Sequence, residues 1–304
     1  MRFLLAILLL TGIAGAPLSA FAERLDPQPR IAVMSAFGPE WQALQAATSN
    51  RQSHSVNGIE FVTGQISGRR VVLFLSGISM VNATMSTQIA LDHFDITAIV
   101  FSGIAGGVDP ALNVGDVVVA DRWAQYLEVT MARDLGNGRY AVPPWKSSEI
   151  PNYGMMFPDK VEVRRSDAVP EKKFWFDSDP GMMAAAAKLH DVPLQHCATP
   201  ATCLETRPRL VIGGNGVSGQ AFVDNAAFRE YVFGTFRAQV LDMESAAVAM
   251  VAYANRVPFI AFRSLSDLAG GEKDGNEMAT FMKLAADNSA VVVQRFLTVW
   301  TPPR

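Results

Sequence analysis

The chain is predicted to be an α/β protein of three layers, with helices on both faces of a central mixed, mostly parallel sheet. Three observations carry the prediction. Short apolar runs of strand length alternate with segments of helical spacing from about residue 30 to residue 296. The 304 residues are 49% hydrophobic and 18% charged, enough to bury a sizeable core in one large domain or at most two. Seventeen prolines and 23 glycines suit the many loops of such a fold, and there is no internal repeat or low-complexity tract.

Residues 1–22 precede the fold. Arg2 gives a charged start, Phe3–Ile13 an apolar core, and Ala20-Phe21-Ala22 a small-residue cleavage site, the pattern of a secretory signal. The apolar run falls short of the ~20 residues of a membrane-spanning helix and a proline follows it, so cleavage is expected rather than anchorage. Residues 23–304 are then expected to be a single soluble domain, exported to the periplasm or secreted, with no stable membrane insertion. Removing Arg2 with the signal leaves 25 basic against 29 acidic residues, a net charge of −4. No basic run or stripe interrupts that balance, which argues against a nucleic-acid partner.

Within the domain, Arg30–Ala36 reads as the first strand. A helix over Glu40–Ala47 follows, with Gly38-Pro39 just before it. Gly58–Ser67 and Val71–Leu75 read as strands joined by a turn at Gly68, and Val81–His93 as a helix. Ile96–Phe101 is a continuous apolar strand that enters a glycine-rich turn, Ser102–Gly107, and Gly115–Ala120 is a further strand. Residues 122–205 lack clean periodicity and hold prolines, aromatic residues and both cysteines. They are expected to be an insertion with a short helix near Pro180–His190. The alternation resumes with strand Arg209–Val217, helix Asn225–Tyr231, strand Ala238–Leu241, helix Glu244–Asn255, strand Phe259–Phe262 and helix Asn276–Phe296. In an exported protein Cys197 and Cys203 are expected to form a small local disulfide, because nothing nearby completes a zinc set. No metal and no cofactor is expected.

The most informative segment is 241–271, LDMESAAVAMVAYANRVPFIAFRSLSDLAGG. One strand runs into Asp242 and Glu244, and the next ends on Arg263 with Ser266 and Asp267 just beyond. Ligands of α/β proteins sit outside the carboxyl ends of strands, so neighbouring strands would bring Glu244 and Asp267 to one crevice. Two carboxyl groups in different environments are what cleavage of a glycosidic bond requires. A competing motif is Gly214-Asn-Gly216-Val-Ser-Gly219, which matches a dinucleotide-binding fingerprint with Asp242 at a suitable distance. Against it, Gln220–Val223 separate the last glycine from a helix cap at Asp224, and several strands precede it. Ser102 lacks the nucleophile-turn pattern of a serine hydrolase. His54, His93, His190 and His196 have no metal spacing, and most of the thirteen methionines read as core filler.

Four segments together resemble the nucleoside phosphorylase/nucleosidase superfamily: IAVMSAFGPE (31–40), SGISMVNA (76–83) with SGIAGGVDPALNVGD (102–116), VSGQAFV (217–223), and residues 241–271. Within it they look most like the methylthioadenosine/S-adenosylhomocysteine nucleosidases and the exported plant storage-protein relatives. The resemblance covers most of Arg30–Phe296 apart from the insertion. It implies a nucleoside phosphorylase-like fold, a purine nucleoside as the small-molecule ligand, and a homodimer. By it, Asp267 is the general acid that protonates the leaving purine, where otherwise it would be a helix cap or an ion-pair partner of Arg263. Glu244 binds the ribose hydroxyls, where otherwise it is an acid favoured by a helix N-terminus. Glu40 positions and activates water, where otherwise it is a surface acid. Phe222 stacks on the base, the Val223 backbone reads the base edge, Met243 packs under the ribose, and Ala105 and Gly106 line the substrate site. Ser266 and Arg263 support Asp267 by hydrogen bonding, and Asp242 is left structural.

Water or phosphate as nucleophile remains to be separated. A phosphate dianion needs arginines and a run of donors. Ser35–Glu40 has no arginine, the 76–83 loop has no base, and Glu40 would repel phosphate. Ile104 stands where the resemblance leads one to expect Ser or Thr. Hydrolysis of a purine nucleoside with release of free base is therefore expected. A phosphorolytic purine nucleoside phosphorylase and a non-catalytic nucleoside-binding or storage protein are the alternatives.

Overall fold

The computed structural model describes residues 24–146, 149–165 and 168–302. The segment read as a secretory signal, residues 1–22, lies outside them. Twelve strands make one mixed sheet: β1 (Asp26–Ser35), β2 (Ser49–Val56), β3 (Ile59–Ile66), β4 (Arg69–Leu75), β5 (Phe94–Gly107), β6 (Val117–Val119), β7 (Arg122–Gln125), β8 (Trp175–Asp177), β9 (Leu210–Ile212), β10 (Asn215–Ser218), β11 (Ala238–Asp242) and β12 (Phe259–Asp267). The helices are α1 (Gly38–Ala46), α2 (Met80–His93), α3 (Pro180–Ala186), α4 (Ala226–Phe236), α5 (Ser245–Asn255) and α6 (Met278–Val299). Helix α6 packs across β5 and β12 and against α1 and α3, while α2 and α5 pack on each other, giving the expected three layers. No helix among the described residues is long and apolar enough to cross a membrane.

The sheet runs β8-β7-β10-β11-β5-β1-β4-β3-β2, and β12 pairs with both β5 and β6, which in turn pairs with β9. Six pairings are parallel and five antiparallel, so the sheet is mixed with a smaller parallel share than expected. Much of the antiparallel share is the β2–β3–β4 meander. Its two-residue turns, Asn57-Gly58 and Ser67-Gly68, all have positive φ, which matches the right-handed twist of the flanking strands. Strand β2, SNRQSHSV, carries no apolar alternation to announce it, because it is an almost wholly exposed edge strand.

Strand β5 creates the site. Its edge pairs with β1 as far as Phe101 and with β11 at Gly106 and Gly107, while β12 runs along it in parallel from Ile99 to Gly106. Glu244 and Asp267 therefore arrive from strands that flank β5 rather than from direct neighbours. The glycine-rich run 102–107 is not a turn; it stays in the strand. Its glycines serve close approach instead. A Cβ on Gly103 would lie 1.9 Å from Arg263 Nη1 and 2.7 Å from Glu40 Oε1, and one on Gly106 would lie 3.1 Å from Asp267 Oδ1.

Three other expectations change. The strand expected over Arg209–Val217 is split into β9 and β10 by Gly213 and Gly214, at φ 104° and 84°. The Gly214–Gly219 motif thus lies along and just past β10, and α4 begins only after Asn225, whose side chain caps it by accepting from Phe228 N–H. That arrangement removes the dinucleotide reading and moves the cap one residue beyond Asp224. Strand β12 continues to Asp267, with all nine of its residues buried. The segment 122–205 begins inside the sheet as β7 and returns to it as β8, which pairs with β7, and α3 stops at Ala186. Outside the sheet it carries short hairpins, among them Val129–Met131 with Met156–Pro158, and Cys197–Thr199 with Thr202–Cys203, where Cys197 and Cys203 are disulfide-bonded.

Candidate active site

Each acid reaches the site by a different local device. Strand β1 ends at Ser35, and Pro39 in the first turn of α1 starts the helix at once, so Glu40 sits one turn above the strand end. Glu40 is buried and not a surface acid. Its Oε2 accepts Ala36 N–H at 2.6 Å and its Oε1 accepts Ile104 N–H at 2.7 Å, on the stretch of β5 between its β1 and β11 pairings. Strand β11 ends at Asp242, and Glu244 is the N-cap residue of α5; its Oε1 accepts Ser79 N–H at 2.8 Å from the entry to α2. Asp267 is the last residue of β12. Its Oδ2 accepts the Ser266 hydroxyl at 2.8 Å and its Oδ1 accepts Ala269 N–H at 2.9 Å.

A cavity of about 350 Å³ joins these groups. Asp267, Glu40, Glu244, Met243, Phe222, Val223, Ser266, Ala105 and Gly106 all line it. Arg263 does not, and it makes no contact with Asp267. The fully buried guanidinium lies behind the other acids: Nε donates to Ser245 Oγ at 2.9 Å and is ion-paired with Asp242 Oδ2 at 2.7 Å, Nη1 is 3.8 Å from Glu40, and Nη2 is 3.5 Å from Glu244. The ring of Phe101 covers it at 4.1 Å. The expected support of Asp267 by Arg263 is thus corrected. Strict alternation would place Arg263 and Asp267 on one face of β12, but the strand shifts register between Leu265 and Asp267, and of the two expected supports it is Ser266 that reaches the acid. Asp242, left structural from the sequence, anchors the guanidinium and also takes Glu244 N–H and Ser245 N–H at 3.1 Å.

One cation therefore serves three buried carboxylates, and the charge balance shows in their titration. Burial raises the Glu40 carboxyl above its ordinary range, with Arg263 and the backbone N–H groups of Ile104, Ala36 and Phe37 opposing. Burial pushes Glu244 up to about 7; Arg263 opposes, and the charges of Asp242 and Glu40 add to the rise. Asp267 is raised mainly by burial, against the Ala269 and Ser266 hydrogen bonds. All three of these carboxyls are thus raised by burial, but Asp267 lies away from the cation whereas Glu40 and Glu244 share its field with Asp242.

Apart from Asp242, the remaining lining is apolar, with Phe37, Ile78, Ile104 and Met278 its largest side chains. Sequence reasoning did not find Phe37, Ile78 or Met278, since each lies in a loop or at a helix entry where periodicity is silent. Ile104 packs beside Ala285 and Ala286 of α6 with Phe37, Met278 and Met282 around it. Among the described residues no group of His, Cys, Asp and Glu has the arrangement of a metal site.

A mixed-sheet α/β fold whose acids converge on one largely apolar cavity defines the chain's class: it belongs to the Phosphorylase superfamily, whose model matches residues 30–298. More particularly, it is 33% identical over 267 residues to a 5'-methylthioadenosine/S-adenosylhomocysteine nucleosidase of Lysinibacillus sphaericus, covering 87% of this chain and 96% of that one. It is 29% identical over 270 residues to the Tolumonas auensis protein of the same description, covering 88% and 98%. The solved nucleosidase from Neisseria meningitidis in complex with methylthio-immucillin-A superposes with a TM-score of 0.65 at 25% identity, covering 89% of this chain and 99% of that one.

Proposed function

We propose that this chain hydrolyses the N-glycosidic bond of a purine nucleoside of the methylthioadenosine/S-adenosylhomocysteine type, releasing the free base. The observation that carries this is the placement of Glu40. It engages Ala36 N–H and Ile104 N–H, the backbone donors at the end of β1 and on β5. A phosphate dianion there would meet a carboxylate in place of free donors, whereas a water finds a base. Arg263, the guanidinium behind these acids, is already shared by Asp242, Glu40 and Glu244.

In this reading Asp267, protonated by virtue of its burial, donates to the purine as the glycosidic bond breaks, so the base leaves neutral. Glu244 accepts from the ribose hydroxyls and favours the positive charge that develops on the sugar. Glu40 orients and deprotonates the attacking water. Phe222, exposed at the cavity mouth, stacks on the base, and the Val223 backbone reads its edge. Met243 packs under the ribose, with Ala105 and Gly106 forming the floor. Ser266 fixes the Asp267 carboxyl, and Arg263 holds the other acids in place. The apolar wall of Phe37, Ile78 and Met278 suits an alkylthio substituent better than a bare hydroxyl.

The experiment is to incubate purified protein with methylthioadenosine, adenosine and inosine, with and without phosphate, and to measure free base. Release independent of phosphate is expected. Release only with phosphate would make it a phosphorylase, and binding without release a nucleoside-binding or storage protein. The chain is further read as an exported homodimer. The signal-like residues 1–22 and the Cys197–Cys203 disulfide support export. Exposed Ile78, Val81, Met85 and Phe222 at and beside the cavity mouth support a second copy covering that face.

A further inference from the structure

The turn after Asp267 is held by a second carboxylate that none of these steps uses. Leu268 N–H donates to Glu272 Oε1 at 2.5 Å and Gly270 N–H to Glu272 Oε2 at 3.1 Å, while the N–H between them, that of Ala269, goes to Asp267 Oδ1. Gly271 N–H closes the turn on the Leu268 carbonyl, and Asn225 N–H ties down the Ala269 carbonyl, both at 3.0 Å. Two carboxylates thus divide three successive N–H groups. The turn is strained at Ala269, whose φ of 54° is left-handed for a non-glycine residue, and Gly270 follows at φ 90°. A Cβ on Gly270 would lie 2.3 Å from Asn225 N, so the backbone is also crowded on that side.

We propose that Glu272 is a positioning residue for Asp267: its carboxylate, holding the Leu268 and Gly270 amides on either side of Ala269, fixes the strained turn that presents the acid. This rests on the reading of Asp267 as general acid. Burial is the main cause that raises the Asp267 carboxyl, and the Glu272 charge acts in the same direction, against the Ala269 N–H and the Ser266 and Asn276 side chains. Other charged groups surround the turn. Arg229 of α4 donates to the Gly107 carbonyl and lies against Gly271, and Asp224 accepts from Asn276. Glu205, Lys273, Asp274 and Glu277 line, with Glu272, a second cavity on the far side of the turn. Glu272 alone among these holds the backbone amides of the turn.

The test uses the full mature protein and Glu272→Gln, which keeps one carbonyl acceptor and removes the charge. Two quantities are read: the alkaline limb of kcat, and the titration of the Asp267 carboxyl by infrared difference, its band identified by loss in Asp267→Asn. Both are expected to move down by about one pH unit, with kcat falling about tenfold on that limb and KM little changed. A folded Glu272→Gln protein in which Asp267 titrates as in the wild type would overturn the proposal. Should that variant fail to fold, Glu272→Asp keeps the charge but withdraws the oxygens; a severalfold loss of kcat with the titration retained supports the role, and unchanged kcat refutes it. Infrared titration needs no turnover, so a wild-type protein that releases no base would sink the hydrolase reading and still leave Glu272 decided.

Discussion

At the scale of single residues the site is a problem in sharing one positive charge. Arg263 faces Asp242, Glu40 and Glu244 in a dry environment, while Asp267 lies outside its reach. That separation is what allows an acid and acceptors to coexist a few residues apart. Asp267→Asn should lower kcat by at least ~10²-fold, the size of a lost proton transfer, without unfolding the protein. Base release by a folded variant at the wild-type rate would refute the acid role. Glu244 gives a pH prediction whose sign follows from its direction of shift. Its carboxyl is pushed from 4.5 up to about 7, so the folded state binds more protons than the unfolded chain between those values. Its contribution therefore favours the fold below that window and is lost as pH rises through it, by on the order of 3 kcal/mol at most. Glu244→Gln should remove that slope, becoming more stable relative to wild type from pH 5 to pH 8 in urea titrations. It should also raise KM on the order of tenfold by losing the ribose acceptor.

At the scale of elements the decisive feature is that β5 continues through 102–107 as a strand. Ser289 of α6 pins it, accepting Gly103 N–H at 3.1 Å and facing Ser102 Oγ at 2.8 Å. The absent side chain at Gly103 is the space that the Arg263 guanidinium and the Glu40 carboxylate fill. Gly103→Ala should therefore displace both and cost about 2 kcal/mol or more of stability, by overpacking and by unpairing a buried charge. Urea denaturation reads the stability and base release the activity; a variant within ~0.5 kcal/mol of wild type would show that the cluster has slack. The glycine run was legible as special in the sequence, but its purpose was not. A glycine needed for a turn and one needed for close packing look alike until the opposing side chain is known.

At the scale of the whole molecule, Ile78 and Phe222 of the largely apolar cavity and Val81 and Met85 of the adjoining helix α2 are exposed apolar side chains. Such a face favours self-association. Sedimentation equilibrium should give a dimer, and Val81→Glu with Met85→Glu should yield monomers with a raised KM. Dimers that survive both changes would place the interface elsewhere.

Much was already present in the sequence. The alternation of strands and helices fixed the layered α/β class, since a periodic pattern can bury its apolar positions in few ways. Through the family resemblance they carry, the short stretches around Glu40, Ala105, Phe222, Glu244 and Asp267 named nine residues that line one cavity, since each stretch lies at or near a strand end, where adjacent residues carry the local chemistry. Only the tertiary structure decided how distant charges meet. Arg263 turned to Asp242, Glu40 and Glu244 and away from Asp267, and Glu272 reached back to the amides of the acid's own turn. The physical reason is that an ion's partner is set by which strand lies beside which and by which face a side chain takes. A linear pattern encodes the face but not the neighbour.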